Sequence, residues 1–510
     1  MRKRSILLAA ACLLASACSP VGTPRQAPKL VTLREPDSPF IAFNVWVRCG
    51  SQDDPKGKEG LAALTAAFLA DSSTRNNSYE QILEKLYPMA AAYGASVDKE
   101  MTNFTGRIHR DHLDAYYALF KDAVLAPAFR EDDFRRVKSQ TMNSLKQTRR
   151  FSNDEELTKE LLFREIYRGT PYEHPEEGYV ASVESITLDD VKAFYAKHYT
   201  RDQIVTGIAG GYPEGFERKV RSDFDALPPG TVPAPPRPEP AAVEGLHFLL
   251  VEKNTGASPV SFGFPVGVLR PDADFFPLML FNSWMGEHRN SFSHLYQAIR
   301  ETRGMNYGDY SYIEAYPRGY ATQVPPVNVA RRSQIFEVWI RPIAMTEPGT
   351  LHDRTLFALR AALREVQRFA REGMSAESFE STRRFLKNYT VNFGATIGRR
   401  LAYRIDDHFY GFPDPGFLAS IRARLDGLSL ERVNGAIRKH LQAPGMWIVI
   451  VTQDAEGMKR KLLAGTPTPI AYPGPQSDRV LQEDRIIAAY PLPVEERHIK
   501  VIPIGEVFER

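Results

Sequence analysis

The chain of 510 residues is 43% hydrophobic and 25% charged, a composition that allows two to four packed domains and excludes a disordered or fibrous protein. Its formal net charge of +3 includes Arg2, Lys3 and Arg4 of a short leader; without residues 1–17 it falls to zero, so nucleic acid is not an expected partner. No C-x-x-C, G-x-S-x-G or phosphate-loop motif occurs.

The leader "MRKRSILLAAACLLASACSP" has a basic start, a short apolar run and small residues before a cysteine. It reads as a secretory signal, too short for a comfortable membrane span. Leu14-Ala15-Ser16-Ala17-Cys18 resembles a bacterial lipoprotein signal. That resemblance implies cleavage before Cys18 and acylation of its thiol. With Ser19 next, it also implies sorting to the outer membrane of a Gram-negative cell, facing the periplasm. The plainer alternative is an ordinary cleaved signal with an incidental cysteine. A tether over residues 18–27 follows, and Cys49 is left without a disulfide partner.

The first domain is read over residues 28–225 as α+β. "IAFNVWVRC" (41–49) alternates and is rich in β-formers, which predicts a strand. "EGLAALTAAFLADSSTR" (59–75) predicts a helix apolar on all sides, hence buried. Ser78 with Gln81 three residues on forms a capping box for a second helix. "ASVDKEMTNFTGRIH" reads as strand-like, and helices are expected near 111–125, 131–149, 154–168 and 188–198.

"ALPPGTVPAPPRPEP" (226–240) carries seven prolines in 15 residues, so a stiff extended linker is placed at 226–241. The second domain, 242–470, repeats the plan. The strand "PVSFGFPVGV" precedes the helices "FFPLMLFNSWM" and "SFSHLYQAIRETRG". Residues 471–510 are taken as an extended tail. "VKAFYAKHYTRDQIVTGIAGG" and "VNGAIRKHLQAPGMWIVIVTQ" both run helix, Lys-His, turn, apolar strand, which points to an internal duplication.

This order of words resembles the pitrilysin/insulinase family of zinc peptidases. The likeness rests on "VWVRCGSQDDPKGKEGLAAL" and "HLYQAIRETRGMNYGDY" and spans about residues 28–465. It implies two homologous α+β domains that face each other as a clamshell around an unfolded peptide. Members that cut peptides carry H-x-x-E-H on the first helix, because residues at i and i+4 share a helix face and can reach one Zn²⁺. Carried over by position, the two histidines fall on Ala63 and Ala67 and the glutamate on Ala66. The distal glutamate falls near Met142, Asn143 or Ser144. No cofactor is therefore expected in this chain. The family's substrate-binding Arg and Tyr, seven residues apart, match Arg300 and Tyr307.

Some bacterial members of the family are heterodimers, with zinc in one subunit and the Arg/Tyr pair in the other. The resemblance thus implies a non-catalytic peptide-binding subunit, partnered by a zinc-bearing paralogue and tied to the membrane by lipid. Glu287, His288 and His294 are the remaining metal-ligand candidates. They support an alternative, a metallopeptidase with a relocated site. A structural envelope protein that binds no peptide is the third reading.

Overall fold

The computed structural model describes residues 30–317, 323–343 and 348–510. The side chains of Tyr307 and of residues 348–350 lie outside the described set, as does Cys18.

The first sheet is five-stranded, in the order β1-β5-β2-β4-β3. Its strands are β1 (Leu30–Arg34), β2 (Phe40–Val47), β3 (Ala92–Val97), β4 (Thr102–His109) and β5 (Ile204–Gly210). The second is six-stranded, in the order β11-β6-β10-β7-β9-β8. Its strands are β6 (Gly245–Glu252), β7 (Val260–Val266), β8 (Asn306–Tyr312), β9 (Gln334–Pro342), β10 (Gly445–Thr452) and β11 (Ile499–Pro503). Apart from β11, the second order repeats the first strand for strand. The one parallel pair of the first sheet, β1 with β5, recurs as β6 with β10. This is the duplication that the Lys-His words pointed to.

Each sheet is buried on both faces, and the two halves share that work. Along β2, Ile41, Phe43, Val45 and Val47 face the first half's own helices, while Ala42 and Trp46 face the second half. Successive strand residues point to opposite faces, so two-sided burial explains why β2 reads as a nearly continuous apolar run. The covering helix on the far face is Ile397–Tyr410, through Ile397, Leu401 and Ile405. In return, helix Asp154–Ile166 of the first half packs on β10 and β7. There Leu157 and Leu161 share a core with Trp447, Val449 and Val451.

Buried ion pairs sew the same interface. Arg331 holds Asp98 with two hydrogen bonds, at 2.5 and 2.9 Å. Arg332 pairs with Glu100, and Lys253 with Asp154.

Three expectations change. "ASVDKEMTNFTGRIH" is not one strand but most of the hairpin β3–β4, which turns at Asp98 to Met101. The helix expected over 291–304 is reduced to a short wide-turned segment, Tyr296–Glu301. Residues 471–510 are not an extended tail. They form helix Asp478–Ala488 and strand β11, which lies parallel to β6. The chain then crosses back to the first half, where Val507 and Phe508 are fully buried. There Val180 donates its N–H to Phe508 O at 2.7 Å, and Arg150 Nε donates to Val507 O at 2.8 Å. Residues 228–244, which include the prolines, carry no helix or strand.

Candidate functional site

Helix Leu61–Ala70 begins where Asp54 accepts the N–H groups of Gly60 and Ala62, both at 2.7 Å. These bonds satisfy orphan donors of the first turn and complement the helix dipole. Gly60 has φ +98, and a Cβ there would stand 2.4 Å from Glu177 O; Gly178 meets Glu59 O in the same way. This close backbone crossing pins the 176–178 loop against the helix start.

Most of the helix is core, including Leu61, Leu64, Phe68 and Leu69. Ala63, Ala66 and Ala67 instead border a cavity of 290 Å³. The opposite wall is Gln140, Thr141 and Ser144, from helix Glu131–Asn143 and the wide turn after it. Ala95, Ser96 and Val97 of β3 form a third side. Among the described residues β3 is the edge strand of its sheet, paired with β4 alone. Of the three positions 142, 143 and 144, Ser144 is the one on the wall.

The cavity's inner end is charged. Ser144 Oγ donates to Glu177 at 2.9 Å, and Arg149 stands 3.7 Å from the same carboxylate. Glu176 lies between Lys99 and Arg331, each at 3.2 Å. Burial opposes the Glu176 charge, but Lys99, Arg331 and Arg149 outweigh it and hold its pKa far below the usual carboxylate range. Nothing in the sequence marked this end, since its members come from residues 99, 149, 176 and 331, far apart in the chain, and Arg331 arrives from the second half.

The second half offers a smaller chamber, of 70 Å³, bordered by Met279, Asn282, Glu287, His288 and a ring of aromatic side chains. His288 is buried, with Nδ1 2.8 Å from the Tyr312 hydroxyl. His294 lies elsewhere: its Nε2 is 2.6 Å from Glu365, and its ring stacks on Trp284. The structure does not bring His288 and His294 to one point. Between the two cavities lies a third, of 50 Å³, which shares Arg149 and Glu176 with the first and Ala315 and Tyr316 with the second.

Arg300 is half-buried and lies over the Tyr296 ring at 4.7 Å. Its charge acts on buried Asp309 of β8, whose pKa desolvation raises well above normal while Asn306 and Arg300 pull it back. Tyr307 sits on β8, the edge strand of the second sheet, and its side chain is outside the described residues.

Comparison with known proteins fits this duplicated plan. The model of the insulinase family (peptidase family M16) matches residues 29–178, and that of the peptidase M16 inactive domain matches 185–386. The chain belongs to the insulinase family. A Helicobacter pylori protein described as a non-peptidase homolog is 22% identical over 429 residues, 81% of this chain and 89% of that one. A Streptomyces coelicolor protein described as an uncharacterized zinc protease is 25% identical over 294 residues. That match takes in 56% of this chain and 63%, under two thirds, of the Streptomyces protein. Among solved structures, a peptidase M16 inactive domain from Pseudomonas fluorescens superposes with a TM-score of 0.69 at 23% identity. It covers 83% of this chain and 94% of that one.

For an insulinase-family chain the implied metal is zinc, and the residues at this cavity do not fit it. Alanine methyl groups at 63, 66 and 67 offer no lone pair and no base. The nearby carboxylates of Glu176 and Glu177 are held by Lys99, Arg331 and Arg149. Among the described residues, no group of three or more His, Cys, Asp or Glu side chains is placed to hold a metal ion.

Proposed function

We propose that this chain is a non-catalytic insulinase-family subunit that binds extended peptides and lends its binding surface to a zinc-bearing paralogue. One observation carries this reading. The helix positions that the family resemblance assigns to metal ligands, Ala63, Ala66 and Ala67, floor a cavity, and beside it β3 is, among the described residues, an edge strand that can pair with another. A peptide added to that edge gains main-chain hydrogen bonds from β3 and sets alternate side chains toward the cavity. The Helicobacter relative, described as a non-peptidase homolog, supports the same reading. Arg300 and Tyr307 are assigned to peptide binding by the family's spacing. Lipid attachment through Cys18 would hold the subunit at the outer membrane, facing the periplasm.

The test is anisotropy with a labelled unstructured peptide and purified chain, with and without a paralogue that carries H-x-x-E-H. The expected result is binding without cleavage by the chain alone, and faster cleavage by the paralogue in its presence. Ala67→Trp fills the cavity and should weaken binding about tenfold or more. Unchanged peptide affinity in both Ala67→Trp and Arg300→Ala would favour the structural envelope protein instead.

A further inference from the structure

The second-half chamber occupies the place in its sheet-and-helix unit that the alanine-floored cavity occupies in the first. Its chemistry is different. The walls are aromatic faces, among them Tyr312, Tyr316, Phe393 and Tyr403. Into this setting come three oxygens. Half-buried Glu287 makes no ion pair among the described residues and has the Ser283 hydroxyl beside it, while Asn282 Oδ1 and the Tyr403 hydroxyl have no hydrogen-bond partner there. Tyr403 is 1% exposed. Buried polar groups without partners are costly, and two of them facing one cavity beside an acid with no ion pair mark a place for a ligand.

The cluster is rich in acceptors. A carboxylate, an amide oxygen and a phenolic oxygen can each take an N–H, and the ring faces are electronegative. The chamber's wall already receives cations from the protein itself. The Arg270 guanidinium lies between Glu314 at 3.0 Å and Asp406 at 3.1 Å, and 5.4 and 5.1 Å from the Tyr403 and Phe417 rings. Lys159 reaches the Tyr312 ring at 4.6 Å from the neighbouring cavity. An anion fits poorly. Arg270 is spent on two carboxylates, and His288 Nδ1 is engaged by Tyr312.

We propose that this chamber binds a small organic ammonium ion, with Glu287, Asn282 and Tyr403 as its acceptors. Its 70 Å³ has room for the ammonium end of a lysine side chain. The source is then a lysine of a bound peptide, which rests on the peptide-binding reading above. Burial pushes the Glu287 carboxyl up to about 7. A cation entering the chamber therefore displaces a proton, and binding strengthens from pH 6 to pH 8. The charged and titratable groups that face or share the chamber are Tyr312, Tyr316, Tyr389, Tyr403, His288, Glu314 and Arg270.

The experiment titrates the full chain with ethylammonium by ligand-observed NMR. In parallel, two otherwise identical unstructured peptides, one with lysine and one with norleucine, are titrated by anisotropy. Saturable ethylammonium binding is expected, weakened about tenfold by Glu287→Gln and less by Tyr403→Phe, with a lysine preference among the peptides. Both variants must stay folded, with an unfolding midpoint no lower than that of the wild type. No ethylammonium binding, or binding untouched by Glu287→Gln, overturns the proposal. Glu287-dependent ethylammonium binding with neither peptide bound supports the chamber and overturns the peptide reading. Equal binding of both peptides assigns the chamber to a free amine.

Discussion

Beside Ala63, Ala66 and Ala67, the inner carboxylates are matched: Glu176 by Lys99 and Arg331, Glu177 by Arg149 and Ser144. In the corresponding chamber of the second half, Glu287 has no cation of its own among the described residues, and two neighbouring oxygens lack partners. Two copies of one structural plan thus treat a central cavity in opposite ways. The first lines its cavity with alanine methyl groups and closes its charges into pairs, one of which, Glu176 with Arg331, spans the two halves. The second keeps an acid without an ion pair among aromatic rings. A group left unpaired at such cost marks function more strongly than a paired one.

The largest expected effect comes from breaking the matched side. Arg331→Met leaves Asp98 and Glu176 with one cation fewer, and should lower stability by about 3–5 kcal/mol in urea denaturation. A loss below about 1 kcal/mol would show that the interdomain charges are only loosely coupled. Next is the crossing of the C-terminal segment. Phe508→Ala removes a ring that is 1% exposed in the first half's core and should cost about 3–5 kcal/mol, with the halves still melting in one transition.

The unmatched side should respond in the opposite sense. In the folded chain Glu287 holds its proton up to about 7, whereas an unfolded glutamate releases it near an ordinary carboxylate value. The fold binds more protons between those limits, so this group's contribution becomes less favourable as pH rises and is least favourable above 7. Glu287→Gln should therefore stabilise the chain at pH 8 by on the order of 1–3 kcal/mol and change little at pH 4. Equal effects at both pH values would mean that the carboxyl is solvated. The smallest effect belongs to the emptied floor. Ala67→Leu adds methylenes into open space, and its unfolding free energy should stay within about 1 kcal/mol of wild type.

Local signals were legible in the sequence, while signals that depend on the second half were not. The Ser78/Gln81 capping box appears as written, with Gln81 N donating to Ser78 Oγ and Ser78 N donating to Gln81 Oε1. The apolar helix at 61–70 and the repeated helix-turn-strand could be read because each is set by residues close in sequence. The β3–β4 hairpin was hidden because its turn, Asp98-Lys99-Glu100-Met101, carries no glycine, proline or asparagine. The helix at 291–304 shortened because Glu287 to Asn290 form an irregular loop, with Arg289 at φ +57. The C-terminal segment read as a tail because its apolar residues are scattered; each serves a different half, Ile499 in the second core and Val507 and Phe508 in the first. Of the site, the three alanines at 63, 66 and 67 could be read on one helix, whereas the cavity they border could not. It exists only once the 140–144 and 176–177 segments close over them.

Hydrolysis of an unstructured fluorogenic peptide by the purified chain, supplied with one equivalent of zinc, tests the central claim most directly. The account predicts no turnover above buffer while the same peptide binds, and cleavage only when a zinc-bearing paralogue is added. Zinc-dependent turnover by the chain alone, abolished by His288→Ala, would contradict it.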